Sequence, residues 1–314
     1  CLRDANYMQI LGTQDNLVRN GLLSSWNGFP LYDRAWRPKT HFWVYGARHN
    51  PFNSWWVDND DHIESMYSHL ALPPSDHRRL AKCLINAFFQ DALFGLSEYG
   101  GYMEGVVLPQ AIRDLEIYTQ YSSEVNRTVL DNYGDVDDQE GVDEEALNKN
   151  INVQKQIVDV DGSGLMNWED LNLSMVDNSP HETSGVELSW SEPNVVYTSE
   201  TGGLELSMED WVMLRVAQFY EDDALNPVNE PLDFFMVLSD GTNEAILRAG
   251  SVGLVPYPDC NPSPLSVMRT IRLPLNAFLV ANPALDISDI RSVKLSFIGR
   301  FTGHILADDL EFSH

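Results

Sequence analysis

Two residues near the start of the chain carry side chains suited to acid–base chemistry. Asp15 lies in "QILGTQDN" and His49 in "WVYGARHN", and each follows a short apolar segment. A carboxylate bonded to one imidazole nitrogen fixes the ring tautomer, so that the other nitrogen can take a proton from a nucleophile. The pair predicts a catalytic acid, Asp15, and a catalytic base, His49. The alternative is an aspartate and a histidine that merely follow strands.

Strands and a helix must position this pair. The segments at 7–12 and 40–47 are short, apolar and bounded by turn residues, which predicts two strands. Apolar residues recur at helical spacing in "SDHRRLAKCLINAFFQDALFG", which predicts a helix that Ser75 caps and Gly95 ends. This order of elements is typical of the carboxyl-terminal part of an α/β sheet: a strand, an acidic loop, a second strand, a loop with a histidine, and a helix.

The same segments resemble a known family. In order, "ILGTQDNLV", "YDRAW", "VYGARHNPFNSWW" and "HRRLAKCLINAFFQDALFG" are similar to the last strands and helix of secreted α/β-hydrolase-superfamily proteins of the esterase, lipase and depolymerase kind. The resemblance covers about residues 1–120 and implies that Asp15 is the triad acid and His49 the triad base. The later segments resemble the jelly-roll accessory domain appended to such enzymes.

The sequence departs from this family because it lacks the nucleophile. Only fourteen residues precede Asp15, and the nearest match to Gly-x-Ser-x-Gly, "AGSVG" around Ser251, follows the histidine. Two final strands cannot form a stable sheet alone. We therefore expect a separate chain, the amino-terminal half of the hydrolase domain released by proteolytic processing, with Cys1 as a candidate for a disulfide to it. The other explanation is that this segment has been rebuilt into a different fold.

The remainder of the chain changes character twice. Residues 122–183 form an acidic, turn-rich linker segment, and residues 184–314 alternate polar and apolar residues between Gly, Pro, Asn and Asp turns. The fold class expected is thus the carboxyl-terminal portion of an α/β-hydrolase sheet at 1–121, completed by another chain, followed by an all-β jelly-roll sandwich.

The linker contains a candidate calcium loop, "DVDGSGLMNWED". Calcium takes six to eight oxygen ligands, and a twelve-residue loop supplies them from positions 1, 3, 5, 7, 9 and 12 around a glycine at position 6. The predicted structural Ca²⁺ ligands are Asp159, Asp161, Ser163, the Leu165 carbonyl, Asn167 and Asp170. The alternative is an acidic Asp-Gly turn between two strands.

Asp308 in "HILADDLEF" is a second unusual acidic residue. Strict alternation would place it on one face with Leu306, Leu310 and Phe312, where a core residue is expected. A buried carboxylate must be paired, hydrogen-bonded or bound to metal. A second calcium site and an aspartate bonded to backbone amides at the sandwich rim both satisfy this requirement.

Composition excludes some classes of function. The chain has 20 basic and 47 acidic residues and a formal net charge of −27, so its surface would repel the phosphates of nucleic acids. Without an apolar run of 18 residues, no membrane span is expected. An acidic, lysine-poor surface suits a saline extracellular medium, although an ordinary acidic protein has the same balance.

Two functions follow from these observations. The first is hydrolysis of an ester or related acyl bond by a secreted enzyme whose nucleophile comes from the separate amino-terminal chain. The second is a non-catalytic binding or assembly protein, such as a subunit of an extracellular complex or filament.

Overall fold

The computed structural model describes the chain in several stretches that fall into two compact units. The described residues are 6–15, 32, 35, 38–55, 69, 71–122, 127–131, 154–159, 184–219, 222–258 and 266–313, with only the backbone described at 131, 154–159, 184 and 185. The first unit contains the described residues up to 122 and a short segment around 266–269, and the second contains most of the remainder. Among the described residues, no helix is both long and apolar enough to cross a bilayer.

The first unit is built on a three-stranded sheet. Its strands are β1 (Tyr7–Gly12), β2 (Lys39–Val44) and β3 (Ile117–Ser122), in the order β1-β2-β3. β1 and β2 are parallel, whereas β3 is antiparallel to β2. The predicted strand at 7–12 is therefore confirmed, and the one predicted at 40–47 is confirmed only as far as Val44, after which the chain turns. The sequence pattern gave no indication of β3.

The predicted helix is also confirmed, as α1 (Pro74–Phe94). It begins with Pro74 in the first turn, where the missing N–H is not needed, and it ends at Gly95, which has a left-handed φ of 63°. Ser75 lies within the helix and is not its cap. Leu80 and Leu84 of α1 pack on Phe42 and Val44 of β2. A short helix, α2 (Gly100–Met103), and 3₁₀ turns at Asn50–Phe52, Ser97–Tyr99 and Gln110–Ile112 complete the described unit.

The expected α/β-hydrolase architecture is wrong. The described chain is mostly β-sheet, arranged in three sheets, and the first sheet has three strands of mixed direction. A hydrolase sheet is a larger, predominantly parallel one covered by helices on both faces. Here the chain returns after α1 and α2 as β3, which pairs antiparallel with β2. The companion chain was inferred from the hydrolase sheet and loses that support, so it stays a prediction.

The second unit is a β-sandwich, as the alternating pattern predicted. Its strands are β4 (Arg127–Asp131), β5 (Gln154–Asp159), β6 (Ser184–Trp190), β7 (Val196–Leu204), β8 (Trp211–Gln218), β9 (Phe235–Ser239), β10 (Glu244–Arg248), β11 (Arg269–Pro274), β12 (Ile290–Ser296) and β13 (Gly303–Ser313), with α3 (Leu275–Ala281) following β11. The four-stranded sheet has the order β10-β9-β12-β7, and the larger sheet has the order β11-β8-β13-β6-β5, with β4 paired to β13.

One continuous core joins the two sheets of the sandwich. Tyr197, Met236 and Leu295 from the four-stranded sheet meet Leu214 and Ile305 from the larger sheet, and all five side chains are fully buried or nearly so. Trp190 packs on Phe297 with ring centroids 4.1 Å apart. These contacts leave the opposite face of the four-stranded sheet outside the core.

The strand β13 contains a β-bulge that changes the expected position of Asp308. The register with β8 shifts between Asp308 and Glu311, and Asp309 adopts a left-handed φ of 47°. The core therefore receives Ile305 and Ala307 before the bulge and Leu310 and Phe312 after it. The predicted common face of Asp308 with Leu310 and Phe312 is wrong, because the bulge reverses the alternation.

The carboxylate of Asp308 is buried but paired. Arg215, its cross-strand neighbour, donates from Nη1 to Asp308 Oδ2 at 2.8 Å and to Asp309 Oδ2 at 3.3 Å. The backbone N–H of Asp309 donates to Asp308 Oδ1 at 2.6 Å. A guanidinium and a backbone amide thus meet the requirement that a buried carboxylate be compensated.

Candidate functional site

The structure brings Asp15 and His49 together at the ends of β1 and β2. His49 Nδ1 lies 2.9 Å from Asp15 Oδ1, and Asp15 is buried. The turns after the two strands are joined by hydrogen bonds from Thr13 N to Val44 O and from Gln14 N to Ala47 O, each 3.1 Å long. The arrangement can hold one tautomer of the His49 ring, as the sequence predicts, whereas its use in catalysis stays a prediction.

Gly12 makes this close approach of the two turns feasible. A Cβ atom at position 12 would lie 2.1 Å from the carbonyl oxygen of Ala47, a separation that real atoms do not adopt. Glycine is therefore needed at position 12 so that the two turns can pack closely. This close packing is what brings Asp15 and His49 into contact.

A second histidine secures the turn that carries His49. His77 of α1 accepts a hydrogen bond at Nε2 from Arg48 N, 2.9 Å away, and its Nδ1 lies 3.1 Å from Pro73 O. These partners require the neutral ring with its proton on Nδ1. Burial lowers the pKa of His77, which favours the same neutral form.

The other predicted site residues are not assembled by the described structure. Asp159 is the last residue of β5, of which the backbone alone is described, and Asp161, Ser163, Leu165, Asn167 and Asp170 lie outside the described residues. Within the described part of the chain, no group of three or more His, Cys, Asp or Glu side chains is arranged to hold a metal ion. Calcium binding by 159–170 stays a prediction.

The second unit carries a groove that the sequence analysis did not identify. It lies on the outer face of the four-stranded sheet and encloses about 740 Å³, within the ordinary range for ligand sites. Its lining comes from alternate residues of four strands and adjacent turns: Val196, Thr198, Glu200, Phe235, Val237, Ser239, Gly241, Glu244, Ile246, Arg291, Ser292, Lys294, Ser296 and Ile298.

Strand register arranges these side chains in rows. Glu244, Ser239, Ser292 and Glu200 form a polar row across β10, β9, β12 and β7. Ile246, Val237, Lys294 and Thr198 form the middle row, and Phe235, Ser296 and Val196 form a third row with more apolar surface. From the polar row to the third row the groove extends about 13 Å along the strands, at about 3.3 Å per residue.

The floor and the rim of the groove differ in chemistry. Short side chains on the two central strands, including Ser239, Ser292 and Ser296, are almost fully buried, whereas Ile246 and Ile298 are more than half exposed. Ser296 Oγ is buried and has no hydrogen-bond partner among the described residues. A groove with a hydroxyl floor and an aliphatic rim can contact both polar edges and C–H faces of a ligand.

Ion pairs hold the two basic side chains of the groove, Lys294 and Arg291. Lys294 Nζ donates to Glu244 Oε1, and this pair spans β9 from β12 to β10. Arg291 donates from Nε and Nη2 to Asp289 Oδ2, at 2.9 and 2.7 Å. Alternation within each strand can predict which of these residues face outward. Only the pairing register of the four strands shows that they lie together in one groove.

Comparisons with solved structures place low-identity carbohydrate-binding modules and agarases among the similar chains. A family 11 carbohydrate-binding module from Clostridium thermocellum, in complex with a β-1,3-1,4-mixed-linked tetrasaccharide, is 11% identical with a TM-score of 0.36 and covers 60% of this chain and 95% of its own. A family 30 carbohydrate-binding module of a Clostridium thermocellum cellulosomal cellulase is 10% identical with a TM-score of 0.32, covering 42% and 75%. An exo-β-agarase is 8% identical with a TM-score of 0.33, covering 54% and 23%.

No protein-family model and no curated protein matches the sequence. The three-stranded mixed sheet of the first unit contradicts the resemblance to secreted α/β-hydrolases, and α/β-hydrolase is wrong as a description of the fold.

Proposed function

We propose that the second unit binds a polysaccharide chain, without cleaving it, in the groove of the four-stranded sheet. The observation that carries this proposal is the pairing of a buried serine floor with an aliphatic rim over about 740 Å³. A pyranose ring presents hydroxyl groups at its edge and C–H groups on its faces, so it can use both surfaces. The ligands of the similar proteins are not used as support, and the proposal stands on the groove of this protein.

The hydrogen-bonding capacity of the floor favours a hydroxylated ligand. Among the described side chains that line the groove, Ser296 Oγ is the single buried polar atom without a described partner, and a buried hydroxyl without a partner costs free energy. A sugar hydroxyl over the third row would supply that partner. Beside it, Phe235 and Val196 offer apolar surface to the face of the ring.

The carboxylates of the groove favour binding over hydrolysis. Glu200 and Glu244 occupy opposite edge strands of the same row, three strand spacings apart. Three spacings place their backbones about 14 Å apart. Glycosidases hold their two carboxyl groups roughly 5–9.5 Å apart. Glu244 is also engaged by Lys294, as expected for a structural residue of the rim.

The proposal is tested by affinity gel electrophoresis on gels containing neutral glucans, galactans, mannans or xylans. We expect retardation on at least one, and an affinity about two- to tenfold lower for Ser296→Ala, the equivalent of one hydrogen bond. Ser199→Ala is the matched control, because Ser199 Oγ is also buried without a described partner but belongs to the alternate set of β7 residues that does not line the groove. Equal affinities of the two variants, or no retardation on any gel, would contradict the proposal.

A polysaccharide ligand also fits the extracellular location predicted from the sequence. Such polymers are abundant outside cells, and a strongly acidic surface remains soluble in a saline medium. Expression in the native host followed by assay of the medium and the cell fraction tests this location. Recovery of the chain in the cell fraction alone would contradict it.

A further inference from the structure

The positive charges of the groove are already neutralised within the protein. Lys294 is bonded to Glu244 across β9, and Arg291 is bonded to Asp289 through two nitrogens. An anionic ligand that used either cation would have to separate an existing ion pair. The carboxylate released from that pair would then face the negative charge of the ligand.

Further carboxylates lie in and beside the polar end of the groove. The turn between β9 and β10 contains Asp240, whose carboxylate accepts hydrogen bonds from the backbone N–H groups of Thr242, Asn243 and Asp286. The N–H of Asn243 is the largest cause of the lowered pKa of Asp240, which keeps the carboxylate ionised. Glu200 lies at the β7 edge of this end, and the whole chain has a net charge of −27.

We infer that the groove selects uncharged glycans over acidic glycans, and that the Lys294–Glu244 pair is a determinant of this selection. The inference rests on the proposed polysaccharide binding. The hydroxyl groups of a neutral sugar can donate hydrogen bonds to the carboxylates, and they can donate to or accept from the serine hydroxyls of the floor. Neither ion pair has to separate for these contacts to form. Uronic or sulfated units that bind Lys294 or Arg291 instead release Glu244 or Asp289, and the released carboxylate repels them.

The direct test compares a neutral polysaccharide with its carboxymethylated form, so that the backbone is constant and the charge alone changes. We expect the carboxymethylated polymer to bind at least about tenfold more weakly at low salt, because its carboxylates and those of the groove repel one another. The difference should shrink as salt is added, since salt screens exposed charges. Equal or tighter binding of the acidic polymer would overturn the selectivity while leaving polysaccharide binding intact. Failure of all neutral polymers to bind would instead overturn the proposed function.

A substitution that removes one negative charge but keeps the shape of the side chain tests the role of the ion pair. Glu244→Gln removes the partner of Lys294, and we expect the ratio of acidic to neutral affinity to rise about tenfold. Glu192→Gln changes the net charge equally at an exposed position outside the groove, and the ratio should stay within about twofold. An equal response of the two variants would show that net charge sets the selectivity and would overturn the role of the pair. Melting curves of both variants confirm that the ratios compare folded proteins.

Discussion

Replacement of Arg215 by methionine should destabilise the sandwich by about 3–5 kcal/mol, because it leaves buried carboxylate charge without its partner. Arg215, Asp308 and Asp309 are almost completely inaccessible to solvent, and Arg215 Nη1 contacts both carboxylates. The hydrophobic stem of methionine preserves much of the arginine packing, so the loss reports chiefly on charge. For a unit of this size the expected fall in melting temperature is roughly 6–20 °C, at about 2–4 °C per kcal/mol.

The control is Arg291→Met, which removes a second arginine–aspartate pair. Arg291 and Asp289 have 59% and 42% exposed side chains, so this ion pair should contribute less than about 1 kcal/mol. The double variant Arg215→Met/Asp308→Asn should recover at least half of the loss, since it removes an uncompensated charge. Urea denaturation followed by tryptophan fluorescence measures all four proteins. A loss for Arg215→Met no larger than that for Arg291→Met would refute the assignment of the charge pair as structural.

The first unit and the linker give three further predictions. Gly12→Ala should cost about 1–3 kcal/mol in urea denaturation, because its Cβ meets Ala47 O, whereas Gly100→Ala, with no neighbour closer than 3.6 Å, should be nearly neutral. The pKa of His77 is lower in the folded than in the unfolded protein, so the contribution of the neutral ring to the free energy of unfolding is complete above the unfolded pKa of about 6.5 and is lost as the pH falls below it. His77→Gln should therefore flatten the dependence of stability on pH below about 6.5. An unchanged slope would contradict the reasoning. Calcium should raise the melting temperature through 159–170, and calorimetry showing neither binding heat nor a chelation effect would rule this out.

Local sequence patterns predicted the elements well because their causes are local. β1 and α1 appear where apolar spacing placed them, and Gly95 ends the helix in the left-handed conformation that glycine adopts readily. The hydrogen bond between Asp15 and His49 was also expected, because two parallel strands deliver their carboxyl-terminal turns to one edge.

The fold was mistaken because pairing between distant segments has no comparable local indication. β3 joins β2 after more than seventy intervening residues, and its antiparallel direction changes the sheet from the one inferred. Within β13, one additional residue at the bulge moved Leu310 and Phe312 to the side of Ile305 and Ala307. Strict alternation cannot anticipate such a change of phase.

The groove shows why register, more than composition, determines the candidate site. In β12, Val293 and Leu295 enter the core, while Ser292, Lys294 and Ser296 line the groove. A shift of one residue would bury Lys294 and expose Leu295, which the core strongly opposes. The hydrophobic packing that stabilises the sandwich therefore also fixes Lys294 beside Glu244 and Ser296 beside Phe235. Substitutions on the outer face should consequently alter ligand selection with little effect on folding, whereas substitutions at the intervening positions should affect both.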